Sequence, residues 1–152
     1  MGNKTKIRKA KKEDLKSFIK LRKEYINIIN KENKINEKIE DNKIIREFKS
    51  FFENNKIILL VEIDSTLVGF ISGTIFKNVW RKGGYIDDIY IDKKFRRKGI
   101  ATQLIKEFLN TLIKRKIKTC QLGVSKNNKK AINLYKKINF KLVHYEMGIK
   151  LK

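Results

Sequence analysis

Two apolar segments near the middle of the chain constrain the fold more than any other feature. The segments IILLVEI (57–63) and LVGFISGTIF (67–76) are rich in β-branched and aromatic residues, and the short linker Asp64-Ser65-Thr66 separates them. Apolar runs of this kind on either side of a very short polar linker are typical of a β-hairpin. The sequence therefore predicts two antiparallel strands joined by a tight turn.

Further strands are predicted on both sides of this hairpin. They are Lys6–Ala10, GYIDDIYI (84–91), Ile117–Val124, and a final segment in which Tyr145, Met147, Ile149 and Leu151 alternate with His144, Glu146, Gly148 and Lys150. Alternation of apolar and polar residues indicates that the final strand is half-buried. Together with the hairpin, these segments predict a sheet that is mostly antiparallel.

Apolar residues that recur every three or four positions predict four helices. The first helix is Lys12–Asn30, and the third is Ile100–Arg115. The second carries Ile44, Ile45, Phe48, Phe51 and Phe52, and the fourth carries Ala131, Leu134, Tyr135 and Ile138, with Asn127 or Asn128 as its N-cap. The polar stretch Asn30–Lys43 is predicted to be a loop. A chain of 152 residues is long enough to bury its own core. We therefore expect one domain, 1–152, of mixed α/β class, with about four helices flanking the sheet.

The net charge of +22 is compatible with nucleic acid, an anionic membrane or a phosphate-rich small ligand as the partner. The same charge arises when lysine covers every solvated face, and lysines are spread evenly from Lys4 to Lys152. Composition alone does not choose between these alternatives, although the even spread favours the second.

The sequence carries no signal for membrane insertion or secretion. No apolar run approaches the roughly 20 residues that a membrane-spanning helix needs. The N-terminal MGNKTKIRKA is charged but has no apolar segment behind it, unlike a secretory signal. We therefore expect a cytoplasmic protein without a membrane partner.

Cysteine and histidine are too scarce for disulfide or metal chemistry. Cys120 is the single cysteine and lies in an apolar-alternating run, so we expect a small core residue rather than a nucleophile. His144 is the single histidine, which excludes a histidine cluster. No metal site is predicted.

The stretch KKFRRKGIATQL (93–104) crowds five cations around one glycine before the third predicted helix. Gly99 stands where the chain turns into the helix, and the small Ala101 keeps the approach to the backbone open. The first amides of a helix have no intrahelical acceptor and lie at the positive end of its dipole, so this arrangement forms an anion site. The loop therefore predicts phosphate binding. Its spacing is neither GxxxxGKS/T nor GxGxxG, which makes nucleoside triphosphates and dinucleotides poor fits.

Two motifs in the second half of the chain resemble those of the GNAT superfamily of N-acetyltransferases. The stretch RRKGIA (96–101) resembles the family's Q/R-x-x-G-x-G/A loop, whose amides bind the pyrophosphate of acetyl-coenzyme A. Residues 128–140 are similar to the family's NxxAxxLYxKxGF, and the order of predicted elements is similar over nearly the whole chain. The chain departs from the common pattern at Lys93, where many relatives have proline, and at Asn139, where they have glycine.

The resemblance implies an acetyl-CoA-dependent N-acetyltransferase that acts on a primary amine without a covalent enzyme intermediate. The resemblance implies that the backbone of Tyr90 and Ile91 pairs with the pantetheine arm and offers an amide to the thioester oxygen. It also implies that Asn128 hydrogen-bonds the coenzyme. The loop residues implied to hold acetyl-CoA are Arg96, Arg97, Lys98, Gly99, Ile100, Ala101 and Thr102. Tyr135 matches the tyrosine that protonates the leaving thiolate. A core aromatic is the alternative for Tyr135, because its position continues the apolar stripe of the fourth helix.

Asp87 and Asp88 are the candidates for a general base, which the reaction needs because the pKa of an alkylammonium lies at about 10.4. YIDDIYI (85–91) resembles the strand of polyamine and some aminoglycoside acetyltransferases that carries acids lining the acceptor site or acting as base. Adjacent strand residues point to opposite faces, so we expect only one of the two to face the acetyl group, and which one stays open. The alternative is that either aspartate caps a bulge or pairs with a lysine.

Two other functions stay open at this point: a basic nucleic-acid-binding module, and a non-catalytic coenzyme A sensor on the same fold. The interleaved aromatic and basic residues of a stacking platform and a helix-turn-helix pair are both missing, so nucleic acid is not the expected partner. The amine acceptor is a small amine, a polyamine, an aminoglycoside, an amino acid or a protein N-terminus. Both a monomer and a homodimer are compatible with the sequence.

Overall fold

The computed structural model describes residues 4–79, 81–149 and 151, which fall into two compact units. The first unit, which ends at Leu122, contains β1 (Thr5–Lys9), α1 (Leu15–Asn33), α2 (Asp41–Ser50), β2 (Lys56–Ile63), β3 (Thr66–Lys77), β4 (Lys82–Ile91), α3 (Ile100–Lys114) and β5 (Cys120–Leu122), with 3-10 turns at Lys12–Asp14 and Lys93–Phe95. The second unit begins at Gly123 and contains α4 (Lys129–Lys137). The mixed α/β class and the four predicted helices are confirmed.

The five strands lie side by side in chain order, from β1 to β5. Neighbouring strands are antiparallel except β4 and β5, which are parallel. In the predicted hairpin, Ile63 pairs with Thr66, and the two residues between them, Asp64 and Ser65, have φ angles of 48° and 63°. Two successive positive φ angles are the mark of a type I′ turn, whose twist matches that of the strands it joins.

Helices cover both faces of the sheet. On one face, the ring of Phe18 in α1 lies 5.0 Å from that of Phe48 in α2 and 5.2 Å from that of Phe70 in β3. On the other face, a Cβ atom added at Gly73 would lie 2.4 Å from the ring of Phe108 in α3. Glycine is required there because α3 packs directly on the backbone of the sheet.

Strand β4 contains a β-bulge at Asp87. Ser72 of β3 pairs with Asp88, whereas the next residue of β3, Gly73, pairs with Ile86, so Asp87 is an extra residue with no backbone-pairing partner in β3. A bulge breaks the regular alternation of side chains along the bulged strand. The side chains of β4 on the two sides of Asp87 therefore do not follow a single alternating pattern.

Strand β5 (Cys120–Leu122) is shorter at both ends than the predicted strand Ile117–Val124, and at its start this is because Ile117 packs back on the last turn of α3. Lys116 has a φ of 57°, its amide donates to Ile113 O, and the amide of Ile117 donates to Leu112 O. These bonds form a Schellman motif, in which an apolar residue just past the helix packs back on its last turn. Ile117 is buried accordingly, and regular pairing with β4 covers Cys120–Leu122 alone.

The prediction of a final half-buried strand is wrong for the residues that the structure describes; Lys150 lies outside them. Residues 141–149 form no strand, and Tyr145, Met147 and Ile149 are 83%, 93% and 85% exposed. A strand needs a paired neighbour as well as alternation, because its backbone groups must find partners on an adjacent strand. The segment alternates as a half-buried strand does, but within the described residues it pairs with no strand.

Candidate active site

The loop before α3 has the geometry of an open anion site. Gly99 is the N-cap residue of α3 with a φ of 74°, Arg97 has a φ of 66°, and no side chain caps the helix. The amide of Gln103 donates to Gly99 O at 3.1 Å, so the preceding amides of the first turn have no intrahelical acceptor. A Cβ added at Gly99 would find no atom within 4 Å. The backbone at this turn is therefore open to an incoming ligand.

The cations of this loop do not all serve the same purpose. The Nε atom of Arg96 donates to Ile91 O at 2.8 Å, and its guanidinium lies 5.5 Å from the centre of the Tyr90 ring. Arg96 therefore ties the loop back to the end of β4. The side chains of Lys93, Lys94, Arg97 and Lys98 are exposed.

Beyond Ile86, the outer edge of β4 has no partner strand in the part of the chain that the structure describes. The pairing of β4 with β5 involves Gly84–Ile86 alone. The amide of Asp92 donates to Val68 O in β3, and Tyr90 O lies close to Gly69, so these two residues face β3. Because backbone groups alternate along a strand, Ile89 and Ile91 present theirs to the unpaired side. Of the two residues implied by the resemblance, Ile91 is thus the one with an outward-facing amide.

The bulge places both aspartates on the same face of the sheet, so the expectation of opposite faces is wrong. Asp88 contacts α1, as described below. Asp87 accepts a hydrogen bond from Thr74, which follows Gly73 in β3 and therefore points away from α3. Both carboxylates consequently lie on the face that α1 and α2 cover. The sequence pattern predicted strict alternation, which holds only for a strand without a bulge.

Asp88 is fully engaged by α1. Its Oδ2 accepts a hydrogen bond from Arg22 at 2.9 Å and its Oδ1 accepts one from the hydroxyl of Tyr25 at 2.7 Å. Arg22 also binds Glu47 of α2, with donor–acceptor distances of 2.6 and 2.9 Å. Both oxygens of Asp88 are therefore occupied, and Arg22 joins two carboxylates from different elements.

The cluster formed by Arg22, Asp88 and Glu47 is largely buried, so it is sensitive to the loss of the Arg22 cation. Burial raises the pKa of Glu47 above its ordinary value, and Arg22 counteracts that effect only in part. Burial alone would lower the pKa of Arg22, but Asp88 and Glu47 outweigh it and raise that pKa. The guanidinium accordingly stays charged and holds both acids.

Asp87 is the more accessible of the two candidate bases. It is exposed, and its Oδ2 accepts a hydrogen bond from Thr74 Oγ1 at 2.8 Å. Thr74 Oγ1 in turn accepts one from Lys56 Nζ at 3.1 Å. Among the described residues Asp87 takes part in no ion pair. A carboxylate held by one neutral hydroxyl is fixed in orientation but still able to accept a proton.

The second unit holds the remaining candidates. Asn128 caps α4, its Oδ1 accepting a hydrogen bond from the amide of Ala131 at 3.1 Å. The ring of Tyr135 packs edge-on against that of Phe140 at 5.9 Å, and burial raises the pKa of the Tyr135 phenol. Asn139 has a φ of 68°, so it adopts the left-handed conformation that glycine would adopt there.

Other side chains with possible chemistry lie outside these clusters. Burial raises the pKa of the Cys120 thiol to about 11, which makes it a poor nucleophile. His144 is exposed. No group of three His, Cys, Asp or Glu side chains in the described ranges is arranged to hold a metal ion. Likewise, none of the described helices combines the length and apolar character needed to cross a bilayer.

Sequence reasoning missed Arg22, Glu47 and Thr74. Arg22 had a detectable signal, because it lies four residues after Phe18 and three before Tyr25, within the apolar stripe of α1. A cation in such a stripe indicates a buried acidic partner. Glu47 and Thr74 carry no comparable signal, since their roles depend on how α2 and β3 are placed against β4.

The family of the chain follows from comparison with known proteins. A model described as the acetyltransferase (GNAT) family matches residues 22–140, well over half of the chain. The chain belongs to this family. The match includes the strand with the two aspartates, the glycine loop and α4, so both predicted motifs lie within the GNAT domain.

Individual relatives agree with this assignment. The chain is 33% identical over 73 residues to the thialysine N-epsilon-acetyltransferase of Mus musculus, a match that covers 47% of this chain and 43% of that protein. It thus spans less than half the length of that relative. The solved structure of the aminoglycoside N-acetyltransferase AAC(6')-Iy in complex with CoA is similar with a TM-score of 0.83, 16% identity and coverage of 100% of this chain and 97% of the other. The ribosomal-protein-alanine N-acetyltransferase of Brucella melitensis biovar Abortus 2308 has a TM-score of 0.77, 19% identity and coverage of 97% and 99%.

Proposed function

We propose that this GNAT protein transfers the acetyl group of acetyl-CoA to a primary amine, and that residues 1–152 act as one N-acetyltransferase domain. The observation that carries the proposal is the uncapped N-terminus of α3 beside the unpaired edge of β4. The family match extends over both compact units, which supports a single functional domain. AAC(6')-Iy, which shares the fold, binds CoA in its solved structure.

The pyrophosphate of the coenzyme binds to main-chain amides between Arg97 and Thr102. An anion placed there satisfies amides at the start of α3 and is attracted by the helix dipole. The exposed lysines and Arg97 add positive charge, whereas Arg96 supports the loop from β4. Asn128 contributes through its amide NH₂ group, because its Oδ1 already caps α4.

The unpaired edge of β4 binds the pantetheine arm. The amides of Ile89 and Ile91 point to this edge and act as donors to an extended ligand that lies alongside the strand. A donor fixed in this way also stabilises negative charge that develops on the thioester oxygen during transfer. The buried Tyr90 side chain takes no direct part, since it packs against Tyr25 and Phe70.

Asp87 acts as the general base. The acceptor arrives as an ammonium ion, whose proton must leave before nitrogen attacks the carbonyl carbon. Asp87 takes that proton, the carbon–nitrogen bond forms, the carbon–sulfur bond breaks, and the nitrogen loses its second proton to water as the amide forms. Tyr135 gives its proton to the departing thiolate and regains one from that water. Burial raises the pKa of Tyr135, so its phenol is protonated at neutral pH, and the same shift makes it a weaker acid than an exposed tyrosine.

The acceptor is a primary amine of a small molecule or a peptide. The relatives named above act on thialysine, an aminoglycoside and a protein alanine, so membership of the family leaves the acceptor unassigned. The expected cytoplasmic location likewise stays a prediction.

The proposal is tested by assaying a panel of amines for release of free thiol from acetyl-CoA. We expect at least one amine to support turnover and CoA alone to raise the melting temperature, since a ligand that binds the folded state stabilises it. A protein that binds CoA but acetylates no amine would instead be a sensor. A protein stabilised by duplex DNA at low salt but not by CoA would be a nucleic-acid-binding module, because phosphate contacts weaken with salt.

The anion site makes a specific prediction for Ala101→Glu. A carboxylate in the first turn of α3 competes with the pyrophosphate, so we expect CoA affinity to fall about tenfold, which corresponds to about 1.4 kcal/mol. The fold should be unharmed, because an acid near a helix N-terminus is favourable. Titration calorimetry with CoA measures the effect, and Ala101→Gln is the control of equal size. Equal weakening by both variants would point to steric exclusion rather than charge.

Tyr135→Phe separates a catalytic tyrosine from a packing one. Phenylalanine keeps the edge-on contact with Phe140 but removes the proton donor. We expect kcat to fall about 10²-fold, the lower end of the range for a lost general acid, with CoA affinity and melting temperature unchanged. Unchanged turnover with every accepted amine would remove Tyr135 from the mechanism.

A further inference from the structure

Lys56 in β2 places a positive charge beside the proposed base. Its Nζ atom donates to Thr74 Oγ1 at 3.1 Å, and that hydroxyl donates to Asp87 Oδ2 at 2.8 Å. Because both charged groups bind one oxygen, the nitrogen of Lys56 and Oδ2 of Asp87 lie no more than about 6 Å apart. All three residues lie on strands of one sheet in the first compact unit. A cation and an anion therefore stand side by side, joined by a neutral hydroxyl.

Both charged groups keep unused hydrogen-bonding capacity. An ammonium group has three donors, and a carboxylate has two acceptor oxygens. In the described part of the chain, the Thr74 hydroxyl is the one hydrogen-bond partner of each, and neither Lys56 nor Asp87 takes part in an ion pair. Lys56 is half-buried, and a charge partly shielded from water interacts more strongly with a ligand than an exposed one. Each group can accordingly bind a ligand group of opposite charge.

The neighbouring charges do not supply the surplus of acid that a polycationic acceptor needs. Glu47 and Asp88 both bind Arg22. Burial raises the pKa of Glu47, and the positive charge of Lys56 is one of those that oppose the rise, so Lys56 also acts on this cluster. With Asp87 included, three carboxylates are balanced by two cations. The chain as a whole carries a net charge of +22, which repels a polycation further.

We propose that the acceptor is a zwitterion, a small primary amine with a carboxylate one to three carbons from its nitrogen, and that Lys56 selects it. This inference rests on the proposed function, because the ammonium group of the acceptor must bind Asp87. The carboxylate then binds Nζ of Lys56 through a charge-assisted hydrogen bond. A carbon–carbon bond is about 1.5 Å long, so one to three carbons fit the spacing of the two protein groups. A single cation also matches a carboxylate better than a phosphate, which carries up to two negative charges.

Lys56 disfavours the other acceptors that carry a primary amine. A polyamine or an aminoglycoside bound to Asp87 brings a further positive charge towards Lys56, and like charges repel. A protein N-terminus has an amide in place of the carboxylate, so it offers Lys56 no negative charge. The acid and the amide of one amino acid therefore differ in the one group that Lys56 recognises.

The test measures kcat/KM for three such pairs: glycine and glycinamide, β-alanine and β-alaninamide, and γ-aminobutyrate and its amide. Lys56→Gln keeps a donor for Thr74 but removes the charge, so we expect the acid-to-amide ratio of at least one pair to fall roughly tenfold to a hundredfold, mainly through KM of the acid. Comparing wild type with variant on the same pair cancels differences in the amines themselves. Lys56→Arg should keep the ratio, as should Lys77→Gln, which removes an exposed lysine further along β3. An unchanged ratio in Lys56→Gln for every pair, or loss of the ratio in Lys77→Gln as well, would overturn the inference.

Calorimetric titration of the three acids in the presence of CoA separates this inference from the proposed function. CoA carries no acetyl group, so binding is measured without transfer. An acid that binds to wild type but not to Lys56→Gln, with no amine acetylated, would support the zwitterion site and contradict acetyl transfer. Turnover of amines with the ratio unchanged in Lys56→Gln would support transfer and contradict the zwitterionic acceptor. Neither binding nor turnover of any acid would contradict this inference, and turnover of no amine at all would contradict the proposed function too.

Discussion

Replacing Asp87 with asparagine should lower kcat by about 10² to 10⁴-fold at neutral pH, the range lost when a general base is removed. Asparagine keeps the size of the side chain and can still accept a hydrogen bond from Thr74. It cannot take a proton from the acceptor ammonium. Since Asp87 is exposed and has no ion pair among the described residues, the folded state and CoA affinity should change little. Steady-state thiol release with the best amine of the panel measures the effect.

The pH profile of the same variant distinguishes a base from a binding residue. Near the pKa of an alkylammonium, about 10.4, much of the acceptor is already deprotonated and needs no base. The ratio of the wild-type kcat to the kcat of Asp87→Asn should therefore become smaller as the pH rises from 7 towards 10. A deficit that stays constant over this range would assign Asp87 to acceptor binding instead.

Asp88→Asn is the matched control, because it makes the same chemical change one residue away on the same face. Both oxygens of Asp88 are engaged by Arg22 and Tyr25, so its loss should disturb α1 rather than remove a proton acceptor. We expect a lower melting temperature, a smaller loss of kcat and a pH profile parallel to that of wild type. The reverse ranking of the two variants would make Asp88 the base.

Local patterns in the sequence predicted most of the fold. The hairpin at Asp64-Ser65, the helix that starts at Ile100 and the cap at Asn128 all depend on residues close in the chain, and each is present. The C-terminal strand was predicted wrongly because alternation describes a strand's faces but not its neighbour. Ile117 was assigned to a strand because the left-handed turn at Lys116 has no glycine to mark it.

In the candidate site too, features set by residues close in the chain could be predicted, whereas features set by contacts between distant residues could not. The glycine loop could be predicted because its function depends on backbone conformation near Gly99. The relation between the two aspartates could not, since the bulge at Asp87 is defined by pairing with Ser72 and Gly73, distant in sequence. The engagement of Asp88 also depends on α1. The sequence therefore identified the two acids but not their different surroundings, which depend on tertiary contacts.

Those contacts lead to the largest expected change in stability, for Arg22→Met. The side chain of Arg22 is 12% exposed and lies between Asp88 and Glu47, which are 22% and 29% exposed. Methionine keeps a long, helix-compatible apolar stem but leaves two carboxylates facing one another without a cation. Removing one partner of a largely buried ion pair costs about 3–5 kcal/mol, so we expect the free energy of unfolding at pH 7 to fall by about 3 kcal/mol. Urea unfolding measures the change.

The stability lost in Arg22→Met depends on pH because of Glu47, whose pKa is already raised by burial. Without Arg22 that pKa rises further above the unfolded value, so the folded state binds a proton more readily than the unfolded state as pH falls. The difference in the free energy of unfolding between wild type and Arg22→Met should therefore become smaller as the pH falls from 7 to 5.

Lys23→Met is the control, since Lys23 pairs with Asp41 at 2.5 Å but both side chains are well exposed, 41% and 54%. That pair should be worth about 0–1 kcal/mol. Equal losses in the two variants, or a deficit that widens towards pH 5, would show that Arg22 does not hold these acids in place.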